Sequence, residues 1–157
     1  MPIKQIKPII DYSVRDFCFR PYSNHPKGCP NFGKRETCPP QASFIDDVLD
    51  LTKPVYAIWN IFDFACHTIK MSQLHPSWSR RQIECCLYWQ GTARKQLKEE
   101  IFNFEFNPSH NGYDVFTCPE AMGVNVTETM KSIGEILEWP PVTKTYQVAI
   151  AGTKKGE

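Results

Sequence analysis

The chain contains one long aromatic and β-branched stretch, Val55-Tyr-Ala-Ile-Trp-Asn-Ile-Phe-Asp-Phe64, which directly follows Pro54. Such residues favour the packed surface of a sheet, and a short apolar run bounded by a proline is typical of a buried strand. Residues 1–10 are predicted to hold a short strand or an extended arm, and two further short strands are predicted at 113–117 and 144–151. The sequence therefore predicts a small sheet of about three to four strands.

Three helices are predicted around this sheet. Apolar residues in the segment 76–104 recur every three to four positions, the period of one helix face, so one long helix is expected there. A shorter helix is expected at 43–51, capped by its first residue, and another, capped by Asn125 or Thr127, reaches residue 137. The succession of helices and strands indicates an α/β (α+β) layer fold in a single compact domain.

Length, charge and hydropathy restrict the class of protein. The 157 residues fit one domain, residues 1–157, because domains typically hold about 100–150 residues. The 18 basic and 17 acidic side chains leave a net charge of +1, which excludes a polybasic tail but not a local basic patch. No apolar run is long enough for a membrane span and no secretory segment is recognisable, so a cytoplasmic protein without a membrane partner is expected.

Residues 18–40 combine three cysteines with a high density of proline. Cys18, Cys29 and Cys38 lie within 21 residues, and five of the thirteen prolines fall in this segment. That density excludes a helix or a central strand and predicts a long irregular loop, a kind of segment that is usually functional or tied down. An odd count of seven cysteines without an export segment favours a reducing compartment, where clustered thiols indicate metal binding more often than disulfides.

A closed metal site in this loop needs a fourth ligand. Cys118 is the stronger candidate, because it follows a predicted strand and repeats the Cys-Pro pairing of Cys29 and Cys38. His25, inside the loop, is the rival, since three cysteines with one histidine form a common zinc set. If neither binds, the three loop cysteines leave an open position, as in catalytic metal sites.

The spacing of the loop cysteines bears on which metal they hold. Iron–sulfur clusters and zinc both accept four thiolates, but zinc sites usually present cysteine pairs about two to four residues apart. Ten residues separate Cys18 from Cys29, and eight separate Cys29 from Cys38, which favours an iron–sulfur cluster of the four-iron type. Lys34 and Arg35 are predicted to take part as charge partners of the bound group, because positive charge offsets that of a thiolate-ligated centre.

Four stretches of the chain resemble one protein family. The core signature of the predicted metal-binding proteins of the DUF2284 type resembles the stretch Cys29-Pro-Asn-Phe-Gly-Lys-Arg-Glu-Thr-Cys38-Pro-Pro. Residues 84–97 are similar to the long helix of that family, residues 119–126 to its glycine-containing segment, and residues 146–151 to its terminal strand. The family's further cysteine-rich stretch after the long helix is missing at 104–114. The resemblance implies a cysteine-ligated metal or iron–sulfur site with no settled activity.

These features predict a small cysteine-ligated metalloprotein that binds one iron–sulfur cluster. Its role is expected to be electron transfer, or that of an accessory subunit whose protein partner is a redox or modification enzyme. The alternative is a structural zinc site in a module that binds protein or nucleic acid. Whether the chain is itself an enzyme stays open, because it contains no dinucleotide-binding, P-loop or nucleophile-elbow motif.

The remaining cysteines and the basic segment around them are predicted to be structural. Cys66, Cys85 and Cys86 are expected to pack, because buried cysteine behaves as a small hydrophobe. Residues 78–98 hold five basic side chains and one acidic one, with two tryptophans and a tyrosine among them. Nucleic-acid binding is possible there, but a solvated helix face with its aromatic residues packed inward is favoured.

Overall fold

The computed structural model describes residues 2–18, 34, 38 and 41–156, with residues 17 and 18 placed through their backbone alone. Its strands are β1 (Ile3–Ile6), β2 (Val55–Phe62), β3 (Tyr113–Phe116) and β4 (Thr145–Thr153). They form one antiparallel sheet of four strands in the order β1-β2-β4-β3. The prediction of a small α/β domain built on about three to four strands is confirmed.

The central pair of the sheet explains why β2 is apolar along its whole length. β2 and β4 pair from Val55, opposite Gly152, to Phe62, opposite Thr145, and successive side chains alternate between the two faces. One core cluster forms around Trp59 on one face, and a second forms around the neighbouring Ile58 on the other. Because both faces are covered, the strand is a continuous apolar run rather than an apolar–polar alternation.

Helices cover both faces. The α-helices among the described residues are α1 (Ile45–Val48), α2 (Phe64–Leu74), α3 (Arg80–Ile83), α4 (Gln90–Phe106) and α5 (Val126–Lys131). Short 3-10 helices lie at Tyr12–Cys18, Cys86–Tyr88, Pro108–His110 and Pro119–Met122. No helix in these parts of the chain combines the length and the apolar character that a membrane crossing requires.

The two core clusters divide the helices between them. α4 buries Leu97 and Phe104 against Ile58 of the sheet. The opposite face is covered by α1, by the Pro119–Met122 helix and by α5, whose buried side chains surround Trp59. The face around Trp59 also carries the connections that lead to the cysteine-containing segments, so it positions the candidate site.

The predicted long helix from residue 76 is wrong in its first half. Helix α3 ends at Ile83, and Cys85 takes the extended backbone angles φ −59° and ψ 128° before the next 3-10 turn. Helix α4 begins only at Gln90. Cys85 and Cys86 therefore do not share a continuous helix, and both are half-buried.

Packing of Trp89 accounts for the break. Its ring stacks on Phe62 with a centroid distance of 5.5 Å and meets Phe64 edge-on at 5.6 Å. Its indole N–H donates to the carbonyl oxygen of Glu84 over 3.1 Å. These contacts fix the ring against the end of β2, and tertiary packing here overrides the helical period of the sequence.

The apolar stretch 55–64 predicts a strand that includes Phe64, but helix α2 begins at this residue. The side chain of Asp63 accepts a hydrogen bond from the N–H of Cys66 over 2.9 Å, so it caps a helix that begins at Phe64. The cap of α5 at Asn125 is confirmed, since its side chain accepts from Glu128 N–H over 3.1 Å. That helix ends at Lys131 rather than at residue 137.

Glu138 organises the turn that leads into β4. Backbone N–H groups of residues 142–144 donate to one of its carboxylate oxygens over 2.7–3.1 Å, and the Thr143 hydroxyl donates to the other over 2.5 Å. The Thr143 hydroxyl and then these N–H groups lower the pKa of the Glu138 carboxyl to about 2, because they stabilise its ionised form.

We expect Glu138→Gln to lower the urea midpoint at neutral pH and to lose this effect in acid. The folded-state pKa lies below the ordinary value of 4.5. The carboxylate therefore contributes fully above about pH 4.5, and its contribution disappears as the pH falls toward about 2. Urea midpoints measured across this range for both proteins test the prediction, with Glu105→Gln on the exposed face of α4 as the control. Parallel curves for the wild type and Glu138→Gln would contradict it.

Candidate metal centre

The segment before Cys18 and the segment after Cys118 are joined by backbone hydrogen bonds. The N–H of Asp11 donates to the carbonyl of Gly123 over 2.8 Å, and the N–H of Asn125 donates to the carbonyl of Ile9 over 2.8 Å. The residues between these pairs form an antiparallel bridge. The two segments therefore run in opposite directions past each other.

The two 3-10 helices that follow from this pairing pack against each other. The helix Tyr12–Cys18 leads away from Gly123, and the helix Pro119–Met122 leads toward it. Cys18 is the last residue of the first helix, and Cys118 directly precedes the second.

Gly123 permits the close approach of these helices. Its φ of 84° lies in the left-handed region, which residues with a Cβ rarely adopt. A Cβ at this position would lie 2.9 Å from the ring of Tyr12 and 3.0 Å from the ring of Phe44. Those two rings contact each other with a centroid distance of 4.4 Å. Glycine therefore satisfies both the backbone conformation and the space at this junction.

The end of the cysteine loop returns to the first of these helices. The N–H of Ala42 donates to the carbonyl of Cys38 over 2.9 Å. The guanidinium of Arg15 donates to the carbonyl of Ala42 over 2.7 Å and lies over the Phe44 ring, 4.4 Å from its centroid. Arg15 thereby ties the chain that follows Cys38 to the helix that ends at Cys18.

The predicted ligands are described to different extents. Cys38 is half-buried, and Cys118 is exposed with its Sγ 4.0 Å from the hydroxyl of Thr117. Lys34 is exposed, and Cys18 is described through its backbone alone. Outside the described residues lie Cys29, His25 and Arg35. Among the side chains that the structure describes, no group of three His, Cys, Asp or Glu residues is arranged to hold a metal ion. The side chains of Cys18 and Cys29 are not among those described.

Glu120 lies two residues after Cys118. Part of its surface is exposed, yet the protein atoms around its carboxyl raise the pKa of Glu120 above the usual range by desolvation. Its neighbours Pro119, Ala121 and Met122 are buried.

Three cysteines are outside the proposed ligand set: Cys66, Cys85 and Cys86. Cys66 is exposed on α2, so of the predicted core or rim position the core is excluded. The adjacent His67 has its Nε2 3.2 Å from the carbonyl of Ile83 and stacks with Phe64 at 6.1 Å. Its ring is therefore engaged in joining α2 to α3 rather than directed at a ligand shared with Cys66.

The antiparallel junction could not be found from the sequence, because the paired segments are more than a hundred positions apart and neither has a strand pattern. The Cys-Pro pairing at Cys118 was the one local signal that linked the distant segment to the loop. The resemblance to the DUF2284 type stays a prediction that rests on the four stretches quoted above. Compared with family models, with curated proteins and with solved structures, the chain gives no match.

Proposed function

We propose that the chain is a cysteine-ligated metalloprotein that binds one iron–sulfur cluster of the four-iron type. Cys18, Cys29, Cys38 and Cys118 are its ligands. Lys34 and Arg35 act as its charge partners. The protein serves electron transfer, or is an accessory subunit of a redox or modification enzyme.

One observation carries the proposal: three segments that each lead to a proposed ligand are tied together. Backbone pairing joins the segment before the helix that ends at Cys18 to the segment after the helix that follows Cys118. Arg15 holds the carbonyl of Ala42, whose N–H in turn donates to Cys38. These contacts tie the segments on both sides of the loop to the segment that follows Cys118, which supports a shared site.

When bound, a cluster of this kind supplies one-electron redox chemistry. The residues of this chain would hold it and offset its charge. Arg15 fixes the end of the loop through its hydrogen bond to Ala42 and its contact with Phe44. A loop that has little apolar content of its own is stabilised by bound metal, because ligand binding and loop ordering are coupled.

Metal analysis after purification without oxygen tests the proposal. The wild type is expected to be brown and to hold about four iron and four sulfide per chain. Cys38→Ser and Cys118→Ser are each expected to lose most of this iron. Cys66→Ser, which changes an exposed thiol on α2, is expected to keep it and serves as the control.

Two outcomes would contradict the assignment. A colourless protein with one zinc per chain would replace the cluster by the structural zinc site. Full iron content in Cys118→Ser, with none in Cys38→Ser, would remove Cys118 from the ligand set and favour His25. Far-ultraviolet circular dichroism of each variant distinguishes loss of ligation from loss of the fold.

A further inference from the structure

The segment between α2 and α4 carries a continuous face of surface rings, formed by His75, Trp78 and Tyr88, which we call the aromatic platform. His75 and Trp78 stack with centroids 3.7 Å apart and planes 7° from parallel. Trp78 and Tyr88 follow at 4.9 Å. Tyr88 is 49% exposed, its neighbour Leu87 is 83% exposed, and the other two rings are half-buried.

Trp89 differs from these rings although it is adjacent in sequence. It packs on Phe62 and Phe64 at the end of β2, and its indole N–H is satisfied by a backbone carbonyl. The expectation of inward packing is therefore right for Trp89, wrong for Tyr88, which is 49% exposed, and right only in part for the half-buried Trp78. The platform is a surface feature that the core does not require.

Exposed basic side chains without acidic partners lie in the segment that carries the platform and in the helix that follows it. Arg80 is engaged by Glu84, with Nε 2.7 Å from the carboxylate oxygen. Four further cations are exposed and form no ion pair with any carboxylate among the described residues; these are Arg81, Arg94, Lys95 and Lys98. Although the whole chain has a net charge of only +1, residues 78–98 hold five basic side chains and one acidic one.

The start of α4 adds to this positive character. Trp89 at its N-cap provides no side-chain hydrogen bond, and no acidic residue lies in its first turn. Arg94 and Lys95 follow within the next turn. The N-terminal end of a helix carries a partial positive charge, so cations placed here are unfavourable unless an anion accompanies them.

We propose that the aromatic platform and the N-terminal half of α4 bind single-stranded nucleic acid. Bases stack on the exposed ring of Tyr88 and on the accessible part of the half-buried Trp78 ring, while Arg81 and the basic residues of α4 contact phosphates. This occupant uses both halves of the surface. An acidic protein would pair with the cations but would not account for the aromatic rings beside them.

Fluorescence anisotropy with labelled oligo(dT) and oligo(U) tests the proposal, at lengths of about 12 nucleotides, within the ~4–16 that comparable modules cover. The wild type is expected to bind at least one of them saturably, and more weakly as salt rises. Trp78→Ala is expected to weaken binding by about 5- to 150-fold, since stacking of a base contributes roughly 1–3 kcal/mol. Trp139→Ala removes another exposed tryptophan and is expected to leave the affinity unchanged.

The salt dependence of binding tests the contribution of the basic side chains separately. Replacing Arg94, Lys95 and Lys98 together by alanine is expected to reduce the slope of log affinity against log salt by up to about 2, given roughly 0.7 per phosphate contact. Lys154→Ala, an exposed cation beyond β4, is the charge control and should leave the slope unchanged. Tyr88→Ala replaces Trp78→Ala as the stacking variant if the latter unfolds.

Three results would overturn the proposal. The first is no saturable binding of either oligonucleotide at low salt. The second is an affinity that neither folded stacking variant changes. The third is equal binding of poly-glutamate by the wild type and Trp78→Ala, which would identify the surface as a site for an acidic polypeptide. Preference for oligo(U) over oligo(dT), or the reverse, distinguishes RNA from DNA as the natural ligand.

Discussion

Replacement of Phe104 by alanine is expected to destabilise the fold by about 3–5 kcal/mol, the range for removing a buried aromatic ring. Phe104 is 1% exposed and lies between α4 and the sheet. Its ring stacks on His110 with centroids 3.9 Å apart and also contacts Tyr56 at 5.8 Å and Tyr113 at 5.9 Å. Truncation leaves a cavity and removes three ring contacts together.

His110 makes the site less able to collapse after this truncation. Its Nδ1 lies 2.8 Å from the carbonyl of Phe104, so the histidine is held over the ring position. Urea unfolding followed by circular dichroism measures the free energy of unfolding directly.

The same helix offers a matched control for this prediction. Phe102 and Phe106 are 64% and 78% exposed, and they stack on each other at 6.0 Å on the outer side of α4. Alanine at either position is expected to change the free energy of unfolding by less than about 0.5 kcal/mol. If Phe102→Ala destabilises as much as Phe104→Ala, the assignment of inner and outer faces to α4 is wrong.

Gly123→Ala is expected to destabilise the protein by about 2–5 kcal/mol. The left-handed backbone, φ 84°, accounts for roughly 1–2 kcal/mol with a residue that has a Cβ. The clash with Tyr12 and Phe44, at 2.9 and 3.0 Å, adds roughly 1–3 kcal/mol, as other overpacked sites do. Both rings belong to the junction that draws the cysteine segments together.

Gly134→Ala separates these two contributions. Gly134 has almost the same backbone angle, φ 88°, but nothing lies within 4 Å of the Cβ position. It is therefore expected to show the backbone contribution alone. If the proposed cluster is bound at the junction, Gly123→Ala also loses iron while Gly134→Ala retains it. Equal losses of stability in the two variants would show that the rings of Tyr12 and Phe44 move aside without resistance.

Strands were predictable wherever the sequence is apolar over several residues, as in β2 and β4. The true start of α3 also has a local signal, because Ser79 and Gln82 cap each other reciprocally, the S-x-x-Q pattern of a capping box. Asp63 was a comparable signal for α2. The break at Cys85 has no such mark, since it arises from the contacts of Trp89 with Phe62 and Phe64.

The candidate site, too, is predictable only in part. Residue type, spacing and proline content, all of which are local, predict its ligands. The geometry that supports a common site depends on Asp11 meeting Gly123 and on Arg15 reaching Ala42. These contacts join segments that are distant in sequence and have no periodic pattern, so they follow only from the folded chain.

The strand order β1-β2-β4-β3 has a consequence for how the protein is made. β4 is the last of the described strands in sequence, yet it lies between β2 and β3, so β3 has no neighbour in the sheet and β2 has only β1 until β4 pairs. Pairing over such a long sequence separation slows folding. Until then the edge of β2 that later pairs with β4 is open, and an open apolar edge favours aggregation of nascent chains. The four-residue strands β1 and β3 form the outer edges of the finished sheet, where short strands limit that hazard.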